Sequence, residues 1–427
     1  MQHRCASTTR GIPAGGPAWH DRPVSRRAVT AAGLLAPLAA LLAGCGAERS
    51  ATSPRTLRVL DTYTNDPDRT VVGAALDAAA AKVGVTLERV SVGGDSLIQR
   101  VLQQGSSGTL PDILMLDNPD LQQIASTTAL RPFDALGIPT DGYTDGVTAA
   151  GTYDGRVYGL APTVNTIALF YDVPALEEAG VEPPTTWDEL RDAAAALTRP
   201  DRYGIAFCGA ATYEGTWQYL PFFWSNGGDE RRIASPEAAG ALDLLADLVG
   251  QGHASTSVLN WSQADVKDQF VAGRAAMMVN GPWQIPELSA VDGLEYDVVT
   301  LPTRDPSTQE AVAPLGGEVW TVPATGDHAK EKLAAQVLTE FLADDSLLSM
   351  AEQRSTVPGR PALTEAFLGR RPEMAAFADL IQGARARTAE LGPEWPTTAT
   401  ALYTAVQLAL SGQAGAADAL AEAQEYV

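Results

Sequence analysis

The chain has 427 residues, 45% of them hydrophobic and 19% charged, and carries a formal net charge of −22. That is ordinary globular composition, at a length that calls for two domains or two lobes rather than one core. The acidic excess leaves no basic surface to neutralise phosphates, which argues against a nucleic-acid partner. It suits a protein outside the cytoplasm that meets neutral or cationic ligands.

Arg26-Arg27 precede "AVTAAGLLAPLAALLAGC", an apolar run with no charge from Ala28 to Ala47 and small residues just before Cys45. A basic segment, a short apolar core and a small-residue end predict an export signal over residues 1–44. Pro37 interrupts the run, which is shorter than the roughly 20 residues a spanning helix needs. "LLAGC" resembles the lipobox of bacterial lipoproteins, which implies a lipid, palmitate included, on Cys45. The paired arginines of "SRRAVT" resemble a twin-arginine signal, with Sec export equally open. Residues 1–24 are long for the basic region of a signal, which leaves a start downstream of Met1 open. Removing residues 1–44 takes away five arginines and one aspartate and leaves a formal −26. Two cysteines remain, so a lipidated Cys45 leaves Cys208 without a partner and the chain without a disulfide framework. Cys208, in "YGIAFCGA", reads as a buried strand residue rather than a nucleophile.

Residues 45–55 form a short polar tether. "LRVLDTY" (57–63) then reads as a strand. "RTVVGAALDAAAAKVG" (69–84) reads as a helix, from apolar residues three and four apart and a closing glycine. "VTLERVSV" (85–92) is a second strand. "DSLIQRVLQQGSSG" (95–108) is a helix opened by Asp95, and "DILMLD" (112–117) is a third strand. The alternation predicts an α/β fold with a mostly parallel sheet covered by helices on both faces. Further helices follow in "PTTWDELRDAAAALT" (184–198), "SPEAAGALDLLADLVGQG" (235–252) and "SQADVKDQFVAGR" (262–274), with strands at "YGIAF" and "LEYDVVTLP" (294–302). In "AAMMVNGPWQIPEL" (275–288) a strand ends at Val279, Asn280-Gly281 turn the chain, and Pro282 opens a helix. Trp283 then stands at a helix N-terminus, beside free backbone N–H groups. After about Asp327 the chain is mainly helical. It shows no repeat and no long Pro/Gly/Ser linker, which predicts several crossings between lobes.

The chain lacks a nucleophile elbow, a phosphate loop, a zinc motif, a dinucleotide fingerprint and a C-x-x-C, so no cofactor or metal is expected. After the signal only His253 and His328 remain, both in polar, loop-like contexts, too few for a triad or a zinc site. Carboxylates are plentiful, which keeps a glycosidase pair open by counting alone. Aromatic residues are the richer signal. Trp217, Tyr219, Phe222, Phe223 and Trp224 crowd into "TWQYLPFFWSNGG", with Trp283, Trp320 and Trp395 further on. An indole packs flat on the C–H face of a pyranose and keeps one N–H donor, a contact on the order of 1–3 kcal/mol by area. Any one of these rings taken alone fits a core. Several fall at turns just past apolar strands, where open α/β sheets bind ligands.

From about Leu57 to Val427 the chain resembles the extracellular solute-binding proteins of ABC importers, in the branch that includes maltose-binding protein. The likeness rests on segments in family order. They are "PDILMLDNPDLQQIASTTALRPFDAL", "YDGRVYGLAPTVNTIALFYDVPALEEAGVEPPTTWDELRDAAAALT", "FVAGRAAMMVNGPW", "GGEVWTVPATGDHAKEKLAAQVLTEFLADD", "VPGRPAL" and "LSGQAGAADALAEAQ". The resemblance implies a two-lobe fold with the ligand between the lobes, a first lobe of residues 56–162 and 319–370 and a second of 163–318 and 371–427. Hinge crossings are expected near Ala161–Thr163, Gly317–Trp320 and Leu368–Pro372. It implies ligand contacts from Asn65 after the first strand, Asp117 and Asn118 at the end of the third, Asn165, Trp217 as a sugar-stacking ring, Trp224, and Trp283 in the Asn-Gly-Pro-Trp turn. Gly316, Gly317 and Glu318 are expected as a close-approach turn, with Arg354 and Trp395 beyond it. Relatives carry a charged group where this chain has Asn165, which leaves the ligand's hydroxyl pattern open. The expected protein is a monomeric, lipid-anchored, extracytoplasmic receptor, not an enzyme, that passes a sugar or oligosaccharide to an ABC permease in the membrane. A secreted carbohydrate-active enzyme and a ligand sensor without transport are the alternatives.

Overall fold

A computed structural model describes residues 55–427; the export segment, Cys45 and all but the last residue of the tether lie outside the described residues. The first strands and helices are β1 (Thr56–Asp61), α1 (Asp68–Val83), β2 (Thr86–Ser91), α2 (Gly94–Ser107), β3 (Ile113–Asp117), α3 (Asn118–Ser126) and β4 (Leu130–Arg131). α1 stops because Gly84 turns left-handed at φ 74° and its N–H takes the last carbonyls of the helix. Next come β5 (Gly159–Leu160), β6 (Ala168–Asp172), α4 (Trp187–Leu197), β7 (Tyr203–Ala206), α5 (Tyr213–Ser225), α6 (Pro236–Gly250), α7 (Gln263–Val271), β8 (Ala275–Asn280) and β9 (Tyr296–Val299). α4 opens on a capping box between Thr186 and Glu189, and α6 on the Ser235 hydroxyl with Pro236 in its first turn. The last elements are β10 (Glu318–Pro323), α8 (His328–Phe341), α9 (Asp344–Arg354), α10 (Ala375–Gln382), α11 (Trp395–Leu410) and α12 (Ala416–Gln424). Among the described residues no helix is long and apolar enough to cross a membrane.

Two separate sheets result. One runs β2-β1-β3-β10-β4, with β5 also on β10, and the other β7-β8-β6-β9. In strand direction both are mostly parallel, as the alternation predicts, with one reversed strand in each. Every strand of the first sheet except β10, and every strand of the second except β6, points the same way, and the directly parallel pairs are β1 with β2 and β3, and β7 with β8. The reversed strands are those that follow a crossing. β10 begins at Glu318 opposite Asp117, where β3 ends, and β6 begins at Ala168 opposite Asn280, where β8 ends. A strand that enters its sheet at the edge where the others finish has to run backwards. Hydrophobic periodicity reports burial and not direction, so the sequence held no sign of this.

Two buried cores result, and the first also reaches one face of the second sheet. The first is centred on β1, β3 and β10, where Trp320 meets Phe341 edge to face at 4.9 Å. The second packs α4, α5, α6, α11 and α12 against β6, β7 and β8. Phe377 of α10 lies 5.9 Å from Phe170 of β6 and covers the other face of that sheet. Between the sheets run short paired segments. Thr163–Val164 pairs with Val357–Pro358, Pro314–Leu315 with Arg385–Ala386, and Asn165 bridges Gly316. Cys208 is buried just past β7, and burial pushes its thiol up to about 12, away from reactive thiolate.

Candidate functional site

β3 delivers Asp117 to the rim of the first sheet, and α3 starts at once with Asn118-Pro119-Asp120. Asp117 occupies the N-cap position in extended conformation without capping through its side chain. Its carboxylate is therefore free to accept from Arg387 Nη2 at 2.7 Å. Asn118 is buried and spends its amide on the crossing, donating to the carbonyls of Leu315 (3.2 Å) and Gly317 (3.0 Å). Asp120 is buried beside them and accepts from the Tyr213 hydroxyl at 3.4 Å. Burial first, then the neighbouring Asp117 charge, push its carboxyl up to about 7 against the pull of Arg387 and Tyr213.

From the second sheet, α5 presents Tyr213 and Trp217. Trp217 is only 6% exposed, and the Arg387 guanidinium sits 4.6 Å above its ring centre. One face of the indole is therefore covered by an arginine. The Cζ2–Cη2 edge of the indole lies against Gly316. A Cβ there would meet Asn165 Oδ1 at 2.0 Å and Trp217 Cη2 at 2.8 Å, so only glycine fits. Asn165 and Gly316 exchange backbone hydrogen bonds of 3.2 and 2.8 Å, which places the Asn165 side chain beside the indole. Trp217 Nε1 and Arg387 Nε are both enclosed and lack acceptors, a condition that costs about 1–3 kcal/mol for each group.

Trp283 takes a different position. Asn280 is buried, its carbonyl oxygen accepts from the Gly281 N–H at 3.0 Å, and its amide donates to the Gln263 carbonyl at 2.9 Å. Pro282 opens a single 3₁₀ turn. The Trp283 ring folds back over Gly281, where a Cβ would meet it at 1.9 Å. It packs on the second core but stays half-buried, the least enclosed of the four candidate tryptophans.

The remaining expected residues sit in networks of their own. Arg354 is buried, bonding Asp68 through Nε (2.6 Å) and Thr163 Oγ1 through Nη1 (3.1 Å), with Glu318 3.6 Å from Nη2 and the Tyr63 ring 4.7 Å beneath. Tyr63 donates to Glu318 at 2.7 Å. Burial holds the Tyr63 hydroxyl well above its usual range, so it keeps its proton. These donors are committed to the protein, and Arg354 ties the loop after β1 to two crossings. Gly317, at φ 127°, passes so close to Thr163 O that a Cβ would lie 2.8 Å from it. Trp224 donates from Nε1 to Glu230 at 2.8 Å under the Arg385 guanidinium, 4.9 Å away. Trp395 is 1% exposed inside the second core, and Asn65 lies exposed in the loop after β1.

The structure thus brings together Asp117, Asn118, Asn165, Trp217 and Gly316, and adds Asp120, Tyr213 and Arg387, which the sequence reading missed. "ARARTAE" (384–390), two arginines at strand spacing in an acidic chain, was the available signal. A polar hollow of about 880 Å³ lined by Trp187, Asp188, Arg191, Asp243, Asp247 and Arg304 shares none of these residues, and its charged walls are largely solvent-exposed.

Residues 74–378 match the family described as bacterial extracellular solute-binding protein. A putative binding protein of Brucella abortus (strain 2308) is 27% identical over 52% of this chain, and the chain spans little more than half of that relative, 57%. The galactooligosaccharide-binding protein of Bacillus subtilis (strain 168) is 22% identical over 92% of this chain and 94% of its own. Among solved structures, the cyclic alpha-maltosyl-1,6-maltose binding protein from Arthrobacter globiformis superposes with a TM-score of 0.73 at 25% identity, covering 88% of this chain and 98% of that one. With two sheets, paired crossings and polar side chains meeting between them, the chain belongs to the bacterial extracellular solute-binding proteins.

Proposed function

We propose that the chain is the substrate-binding lipoprotein of an ABC importer, capturing a sugar or oligosaccharide between its lobes and delivering it, without turnover, to a membrane permease. One observation carries this reading. Acceptors at the rim of the first sheet, Asp117 and Asp120, face Tyr213 and Trp217 of the second lobe together with Arg387, while Trp283 keeps part of its ring open. Carboxylates, a guanidinium and an accessible indole suit a hydroxyl-rich ring with one apolar face. The oligosaccharides named for the relatives favour the same class. Residues 56–162 and 319–370 make one lobe, and 163–318 and 371–427 the other. The packing of Phe377 on Phe170 supports placing the last segment with the second sheet.

Ligand touching both lobes favours the closed form by its differential contacts. Titration calorimetry with a panel of mono- and oligosaccharides tests this, beside a peptide, a polyamine and a phosphate ester. Binding of a sugar supports the reading, and binding confined to the other classes sinks it. Cys45 carries the lipid and holds the receptor at the outer face of the cell membrane. Cys45→Ala is expected to move the protein from the membrane fraction to the medium, with loss of palmitate labelling. An unlabelled wild type would refute the anchor.

A further inference from the structure

Four tryptophans of the described chain were candidates for contact with ligand, and their donor atoms sort them. Trp224 Nε1 is bonded to Glu230. Trp395 Nε1 has no partner, yet the ring is packed wholly within the second core. Trp217 Nε1 has no partner either, but a second enclosed donor without an acceptor, Arg387 Nε, belongs to the side chain stacked upon it. Both residues are more than nine-tenths buried. The guanidinium cannot swing away to find an acceptor. Its Nη2 is committed to Asp117, and its segment is fastened on two sides. Arg385 grips Glu230 at 2.8 and 2.9 Å and Arg231 bonds Glu390 at 2.9 Å, while Gln122 of α3 donates to Thr388 at 3.0 Å.

We propose that Arg387 and Trp217 form an acceptor-reading subsite. Arg387 Nε–H and Trp217 Nε1–H donate together to one oxygen-bearing group of the ligand, beside the Asn165 carboxamide, while Arg387 Nη2 keeps hold of Asp117. This deepens the receptor reading and rests on it. For a sugar, the group is a hydroxyl or ring oxygen, and a ligand lacking it at that position is rejected because two buried donors stay unpaired. Trp217 then acts through its edge and as a seat for Arg387, and stacking falls to Trp283.

Trp217→Phe keeps a flat ring under the guanidinium and deletes the donor, together with the outer edge of the indole. Arg387→Lys keeps the charge facing Asp117 and deletes the planar Nε. The probes are maltotriose and a galactotriose, titrated into the full-length chain in detergent, with the thermal midpoint of the ligand-free protein measured in parallel. Trp217→Phe is expected to weaken binding about tenfold, one hydrogen bond's worth, with the ligand-free midpoint lowered only by the gap that the smaller ring leaves, partly offset because an unpaired donor is gone. Arg387→Lys is expected to weaken binding further. A tryptophan that only fills a core gives a lower midpoint with unchanged affinity, and that result overturns the subsite while leaving the receptor reading intact. If neither probe binds wild type and no other sugar does, both readings fall together.

Discussion

Two arginine–tryptophan stacks stand on one helix of this protein, and they differ in how their polar groups are partnered. Trp217 and Trp224 are seven residues apart on α5, under Arg387 and Arg385, which are two apart on the facing segment. In the Arg385 stack every polar partner is accounted for, because Glu230, 1% exposed, takes the indole N–H and both of the guanidinium contacts. In the Arg387 stack the carboxylate comes from the first sheet and two donors are left over. The same residue types, in the same packing, make a closed structural unit in one case and an incomplete one in the other. A completed circuit stabilises the fold; an incomplete one has capacity for a ligand.

That contrast predicts opposite behaviour on mutation. Glu230→Ala should produce the largest effect, a loss of about 3 kcal/mol, because it strands Arg385 and the Trp224 N–H around a buried gap. Denaturant unfolding should show the loss with ligand affinity unchanged; a drop in affinity at constant stability would blur the distinction between the stacks. Asp120→Asn should act in the other direction. Asp120 is buried beside Asp117 and titrates near 7. Between about pH 4 and 7 the native state holds a proton that the unfolded chain has released, so stability falls as pH rises through that window and levels off above it. Asparagine carries no such cost, so the stability gained by the variant should be about 2–3 kcal/mol greater at pH 8 than at pH 5. Melting curves at the two pH values check this, and equal gains at both would show that Asp120 is ionised throughout. The smallest effect is expected for Trp283→Ala. A half-open ring that packs on the sugar should cost roughly tenfold in affinity, about 1.4 kcal/mol, with little change in melting. Unchanged binding would remove Trp283 from the site.

Much of the fold could be read from the chain. The helices from Thr186 and Ser235 announced themselves by caps, and β8 with its Asn280-Gly281 turn by an apolar run that stops abruptly. The site was less accessible. Trp283 was visible because a local turn fixes its place. Trp217, Trp224 and Trp395 looked alike in sequence, and only tertiary packing separates a ring with an unpaired donor under an arginine from a ring in a bonded stack or a core. Arg387 was invisible as a partner of Asp117 because the two are 270 positions apart, and the meeting depends on where the crossings return the chain. Asn118 shows the same limit, since its amide is consumed by carbonyls of a distant crossing.

The reversed strands β6 and β10 start at the edges where β8 and β3 finish, so in the receptor we propose the pivot lies next to the grip. Under a swing of the jaws, atoms near the axle travel least and those at the outer lips travel farthest. On that proposal the inner end of a guest would meet a socket set in advance by Asn118, Gly316 and Gly317, and its outer end would be enclosed by the sweep. Changes of length should be tolerated at the lips and changes of chemistry resisted at the axle.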